Sequence, residues 1–187
     1  MLALLTEFDR RCSTPSDINE HLPLLHHYAE YCDTVAEFGV RQGNSSWALA
    51  LGLYKQKGFL HQYDKDETCK QITQALVKAG VYASFTCADT RRVIIPEVDM
   101  LFIDTYHTGA CLREELKNSN RVRRYIAMHD TVTYGFNGEN GIPGDGLNKE
   151  IQWFLNYNPQ WTVAEIRSNN NGLMILQRIG QDASVAP

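Results

Sequence analysis

No stretch of this 187-residue chain approaches the about 20 consecutive apolar residues that a membrane-spanning helix needs. The opening MLALLTEFDR is too short and too soon charged for a signal peptide. No CxxC pair is present, and the five cysteines (Cys12, Cys32, Cys69, Cys87, Cys111) are odd in number and widely spread. That pattern suits reduced thiols in a cytoplasm-like compartment better than a disulfide framework or a zinc site. A cytoplasmic, soluble protein is expected, with no membrane partner. Positive charge is not in excess: the formal net charge is −4, which argues against a nucleic-acid partner, since such binding needs a basic face. The one tight basic cluster, Arg121, Arg123 and Arg124, reads as a solvated approach to the strand that follows. There is no internal repeat and no low-complexity linker. One domain over 1–187 is therefore expected: a leading helical segment (1–32), a core (33–178) and a tail (179–187).

What is present is alternation. Residues 16–32 carry a cap-like Ser16 or Asp17 and the apolar set Leu22, Leu25, Tyr28 and Tyr31 at helical spacing. Pro23 is expected to break or restart that helix. Strands are expected at 34–40, 58–64, 82–89, 98–104 and 124–130, with helices at 44–58, 66–79, 108–118 and 148–157. Two last strands, 161–167 and 172–178, flank the turn SNNN and form a hairpin. This order predicts an α/β, Rossmann-like, doubly wound and mostly parallel sheet of seven strands with a C-terminal antiparallel hairpin. Trp47 and Trp153 are expected in the core.

In such sheets ligands bind outside the carboxyl ends of the strands. Those ends carry Glu37 with Gly39, then Asp64, Asp89, Asp104, and His129 with Asp130. A single acid there could be only a helix cap; the series is harder to dismiss. The first turn, EFGVRQG (37–43), is ExGxxxG rather than GxGxxG. Glycines let the backbone approach a ligand, but an acid at the strand end would repel a pyrophosphate. A ligand with a cation and a ribose fits better, which counts against a nicotinamide-dependent oxidoreductase, the rival within this fold.

EFGVRQG resembles the first motif of class I S-adenosylmethionine-dependent methyltransferases. FIDTYHT (102–108) with AMHDT (127–131) is similar to the paired motifs of a small branch that includes cephalosporin-hydroxylase-like proteins and macrolide-sugar O-methyltransferases. SDINEHLPLL and the GVRQGNSSW wording resemble small viral and bacterial methyltransferases associated with glycan synthesis. The similarity covers most of 13–178. It implies S-adenosyl-L-methionine as cofactor, held by Glu37, Gly39, Val40, Arg41, Gly43, Ser45, Ser46, Asp64, Asp89, Thr90 and Asp104. Of these, Asp64 would take the ribose hydroxyls, and Asp89 with Thr90 would lie near the adenine.

The resemblance also implies catalytic roles for His107, Asp104 and Asp130, with His107 as general base. A divalent cation (Mg or Mn) would sit on Asp104, His129 and Asp130. His129 stands where metal-dependent relatives carry Glu, so it could instead touch substrate with no metal present. The acceptor implied is a hydroxyl of a sugar, a glycan or a similar small molecule. A module that keeps the cofactor site without the chemistry is the rival of another class. The loop 133–148, with glycines at 135, 138, 141, 144 and 146, has no GK[ST] and so is no phosphate loop. It reads as a lid over the acceptor, with Tyr134, Phe136 and Asp145 as contacts, or as a plain connector. His21, His26, His27 and His61 read as ordinary surface or helix and strand residues.

Overall fold

The computed structural model describes residues 1–180, and its sheet is centred on the chain's most apolar runs. Strand β4 (Val98–Ile103) has all its residues buried, and β1 (Thr34–Phe38) beside it is nearly as enclosed. A strand covered on both faces needs no polar alternation. β2 (Phe59–Asp64), β3 (Tyr82–Cys87) and β5 (Val122–His129) complete the parallel part. β6 (Trp161–Arg167) and β7 (Leu173–Arg178) form the antiparallel hairpin. The order is β3-β2-β1-β4-β5-β7-β6, a seven-stranded Rossmann-like sheet as the sequence predicts. β7 inserts between β5 and β6 and pairs antiparallel with β5. The winding reverses between β1 and β4, which opens a crevice at their carboxyl ends.

Successive residues of the central strands face opposite layers. Val35, Met100 and Phe102 pack beneath α1 (Leu2–Ser13), α2 (Leu22–Ala29) and α3 (Asn44–Tyr54). Ala36, Phe38, Leu101 and Ile103 meet residues of α5 (Gly109–Glu115) and α6 (Leu147–Tyr157). α3 is buried along its length from Ser45 to Leu53, so it has no polar face. α4 (Lys70–Lys78) covers the sheet beside it.

Several expectations are corrected. Within the expected leading helical segment, α1 is a separate helix that the reading of 16–32 did not single out. Residues 16–32 hold a 3-10 turn (Asn19–His21) followed by α2; the helix restarts at Pro23, as expected, in the first turn of α2, where its missing N–H costs nothing. The helix expected to reach 118 ends at Glu115 and continues as a 3-10 stretch, Leu116–Arg121. Trp153 is not core: it is 47% exposed, packed at a tilt against Tyr157, with the Arg113 guanidinium over its ring. Two of the three basic residues are tied down rather than solvated: Arg123 donates to Asp99 at 2.9 Å and Arg124 to the carbonyl of Tyr31, while Arg121 is exposed. Among the described residues no helix is long and apolar enough to cross a membrane. Of the expected tail, 181–187 lie outside the described residues.

Candidate functional site

The crossing of β1 and β4 sets the floor of the site. Gly39 follows β1 with φ +87°, and a Cβ there would lie 1.8 Å from the Asp104 carbonyl oxygen. Only glycine allows the two strand ends to leave the sheet this close. Gly43 has a different reason. It caps α3 at φ +76°, and a Cβ would meet Cγ2 of Ile72 at 2.6 Å, so it serves helix packing and not ligand approach.

Glu37 points away from the crevice into the layer under α3. One carboxylate oxygen accepts from Ser45 Oγ (2.6 Å). The other accepts from Ser46 Oγ (2.8 Å) and Gln62 Nε2 (2.8 Å). Thr73 in turn donates to Gln62 Oε1 (2.7 Å). Burial pushes the Glu37 pKa up to about 7 against the pull of those three donors. The structure thus places Glu37, Ser45 and Ser46 in a closed polar knot behind the site, and not on the cavity the sequence reading assigned them to.

The cavity itself has a volume of about 610 Å³, within the roughly 300–1,000 Å³ typical of small-molecule sites. Gly39, Arg41, Asp64, Asp89, Thr90 and Asp104 all line it, as expected. Val40 contributes its N–H, which Asp64 Oδ2 accepts at 2.8 Å along with that of Arg41 at 3.1 Å. Asp64 Oδ1 accepts the N–H of Asp66 at 2.9 Å. Burial opposes the Asp64 charge, but these N–H groups outweigh it and hold its pKa below the ordinary range. Asp89 takes two bonds from the Arg91 guanidinium (2.8 and 2.6 Å), which lowers its pKa to about 2.

Next to the cavity lies the charged cluster. Asp104 follows β4, His107 lies three residues on, and His129 ends β5 with Asp130 after it at φ +61°. An aspartate in that left-handed conformation carries backbone strain, which persists because the surroundings impose it. His107 Nε2 lies 2.9 Å from Asp130 Oδ2 and 3.1 Å from Asp104 Oδ1. His107 Nδ1 lies 2.9 Å from Glu139 Oε2. His129 Nδ1 is 3.4 and 3.5 Å from the same Asp130 and Asp104 oxygens, without hydrogen-bond alignment, and its Nε2 is 3.2 Å from the Asn170 carbonyl. Burial alone would strip the proton from either ring; the two aspartates overcome it and push both histidines up to about 10. The same histidines hold Asp104 and Asp130 below their ordinary pKa against burial.

Asp130 Oδ1 is buried with no partner. Asp104, His107 and Asp130 bring one ligand atom each within 4.8 Å of one another. Cation-holding geometry thus gathers His107 where the sequence reading had His129. His129 is 1% exposed and sits behind the pair.

Of the three lid residues expected, Tyr134 stacks on His107 (centroids 4.9 Å, planes 9° apart), while Phe136 stands exposed. Asp145 accepts the Gly109 N–H at 2.8 Å through its carbonyl and so caps α5. The loop also reaches the cluster through Glu139, which sequence reasoning missed. It also missed His21, which is buried edge-on to His129 at 5.6 Å, its Nε2 3.0 and 3.1 Å from the Asn169 and Asn170 carbonyls. Glu115, buried at the cavity wall, was missed too.

No protein-family model matches the sequence, and a search of curated proteins finds no match. Solved structures do resemble it. An S-adenosylhomocysteine-bound methyltransferase from Podospora anserina, PaMTH1, superposes with a TM-score of 0.66 at 16% identity, covering 96% of this chain and 88% of the other. The O-methyltransferase TomG from Streptomyces achromogenes, involved in tomaymycin synthesis and bound to S-adenosylmethionine, gives 0.68 at 18%, covering 89% and 82%. An O-methyltransferase from Bacillus cereus bound to S-adenosylhomocysteine gives 0.66 at 16%, covering 94% and 90%. At these identities the likeness establishes the fold.

Proposed function

We propose that the chain is an S-adenosylmethionine-dependent O-methyltransferase acting on a hydroxyl of a sugar, a glycan or a similar small molecule. The observation that carries this is the adjacency of the cavity to the Asp104–His107–Asp130 cluster, at the sheet's switch point. A cofactor with a sulfonium, an ammonium and a ribose suits a cavity edged by Asp64, Asp89 and Asp104 and floored by bare main chain at Gly39. Solved structures of this fold that hold S-adenosylmethionine or its product support the same reading.

The cluster also fits a divalent cation, having two carboxylates, one imidazole and an unpartnered buried oxygen on Asp130. The mixed oxygen and nitrogen donors suit manganese or another transition ion as well as magnesium. A cation held there would supply acidity to an acceptor hydroxyl and fix its oxygen. His107 is placed to take the hydroxyl proton, yet with carboxylates at both ring nitrogens it already carries one at neutral pH. A cation on Asp104 and Asp130 would relieve His107 of that proton, but a His107 that bound it through Nε2 could not also serve as base, so ligand and base are alternative roles for this ring. Tyr106, exposed beside Asp104 and lining the cavity, offers a ring face to the acceptor. Methyl transfer then depends on alignment of the acceptor oxygen with the sulfonium, which the walls impose.

The test has two arms. S-adenosylhomocysteine should raise the melting temperature and NAD should not. Methyl transfer from S-adenosylmethionine to mono- and oligosaccharides should appear and should fall with a chelator. Binding without transfer to any hydroxyl acceptor would leave a cofactor-binding module; stabilisation by NAD alone would overturn the reading.

A further inference from the structure

Glu115 takes no part in the transfer proposed above, yet its carboxylate is buried against the cavity wall. It ends α5 and is 1% exposed. Its Oε1 accepts from two hydroxyls at once: Thr90 Oγ1 at 2.5 Å and Thr105 Oγ1 at 2.8 Å. Thr90 opens the short turn after β3 and Thr105 follows β4, and both line the cavity.

A hydroxyl has one hydrogen and two lone pairs. A carboxylate oxygen only accepts, so both threonines commit their hydrogens to Glu115. What each can then offer the cavity is lone pairs alone. The Cys111 thiol, 3.8 Å from Thr105 Oγ1 and also on the cavity wall, is left as the donor in that contact. Burial pushes the Cys111 pKa up to about 12, so its sulfur keeps its hydrogen. Burial likewise pushes Glu115 up to about 7, but a proton taken on Oε2 still leaves Oε1 an acceptor for both hydroxyls. The neighbouring Arg91 directs Nε and Nη2 to Asp89.

We propose that Glu115 is a positioning residue that fixes the hydrogen-bond polarity of this wall. Through Thr90 and Thr105 it presents a lone-pair surface that selects a ring amino group, as on adenine, over a ring carbonyl, as on hypoxanthine. The assignment rests on the nucleoside reading of the cavity given above.

Calorimetric titration of the full chain tests it with S-adenosylhomocysteine and S-inosylhomocysteine, which differ at that ring position and in the neighbouring N1, an acceptor in the first and an N–H in the second. The wild-type chain should bind the inosine compound about 10- to 100-fold more weakly, the usual range when a buried polar group loses its partner. Glu115→Gln can turn an N–H toward one threonine and free its hydroxyl to donate, so the preference should narrow. A merely structural role would weaken both ligands alike and leave their ratio unchanged. Should Glu115→Gln fail to fold, Thr105→Val decides, since it removes one lone-pair donor to the ligand while keeping the shape; the ratio should again shrink. Wild-type affinities within about threefold of each other would overturn the proposal and leave the nucleoside reading intact. A ratio unmoved by either variant would overturn it too. Failure of S-adenosylhomocysteine to bind at all would remove the nucleoside reading and this one with it.

Discussion

Two groups of acids sit at neighbouring strand ends and have opposite surroundings. Glu37 is closed in by Ser45, Ser46 and Gln62, all neutral donors, and no charged side chain bonds to it. Asp104 and Asp130 face two histidines, and one Asp130 oxygen has no partner. A carboxylate satisfied by neutral donors on every side holds strands and helices together. One paired with titratable rings, with capacity left over, is prepared for an incoming group. Position at the end of a strand does not separate the two; partners do.

The largest effect expected from breaking this contrast is at His107. His107→Ala should lower turnover by about 10²–10⁴-fold, with affinity for S-adenosylhomocysteine within a few-fold; turnover that survives would remove its role as base. Gly39→Ala should cost about 3 kcal/mol or more of stability, read as a denaturant midpoint, because its Cβ would overlap the Asp104 carbonyl. Glu37→Gln places an N–H₂ among donors and should cost about 1–3 kcal/mol, while turnover per folded molecule stays near wild type. If that variant instead loses turnover at unchanged stability, Glu37 belongs with the site after all.

The smallest effect is on pH dependence, and it separates the two regions by window. The folded pKa of Glu37, about 7, lies above the ordinary 4.5, so the folded chain keeps a proton there that the unfolded chain gives up. Stability from this group is full below pH 4.5 and declines toward 7. Glu115 shares that window. His107 and His129 are raised from 6.5 to about 10, so their contribution is full below 6.5 and lost as pH rises through 10. Asp104 and Asp130 are shifted the other way; their contribution is present above 3.8 and lost as pH falls. Chemical melts across pH should therefore show Glu37→Gln reducing the decline between 4.5 and 7 and leaving the decline above 7 in place.

Much of the architecture was legible because buried parallel strands such as VDMLFI are apolar runs that little else explains. The cavity residues were legible for a related reason: Asp64, Asp89 and Asp104 end those runs, and the topology rule locates strand ends. What sequence could not show was direction. Glu37 and Asp104 both follow apolar strand residues, but Glu37 faces the α3 layer while Asp104 lies beyond the last strand residue, where the chain has left the sheet. α1 was legible only as part of a leading helical segment, although Leu4, Phe8 and Cys12 recur at helical spacing and pack on the core. His21 and Glu139 reach the site from 86 positions before and 32 after His107, and no local spacing encodes such contacts.

The hairpin turn has a consequence for how the protein comes into being. The Asn170 carbonyl receives both His21 and His129, and its side chain bonds the segment at Ser16 and Glu20. On the ribosome, every group of the cluster emerges before that turn does. A nascent chain, or one cut short by a premature stop codon ahead of it, would carry all the reacting side chains and lack the clasp that seats His129, so competence should arrive only once that turn has been made.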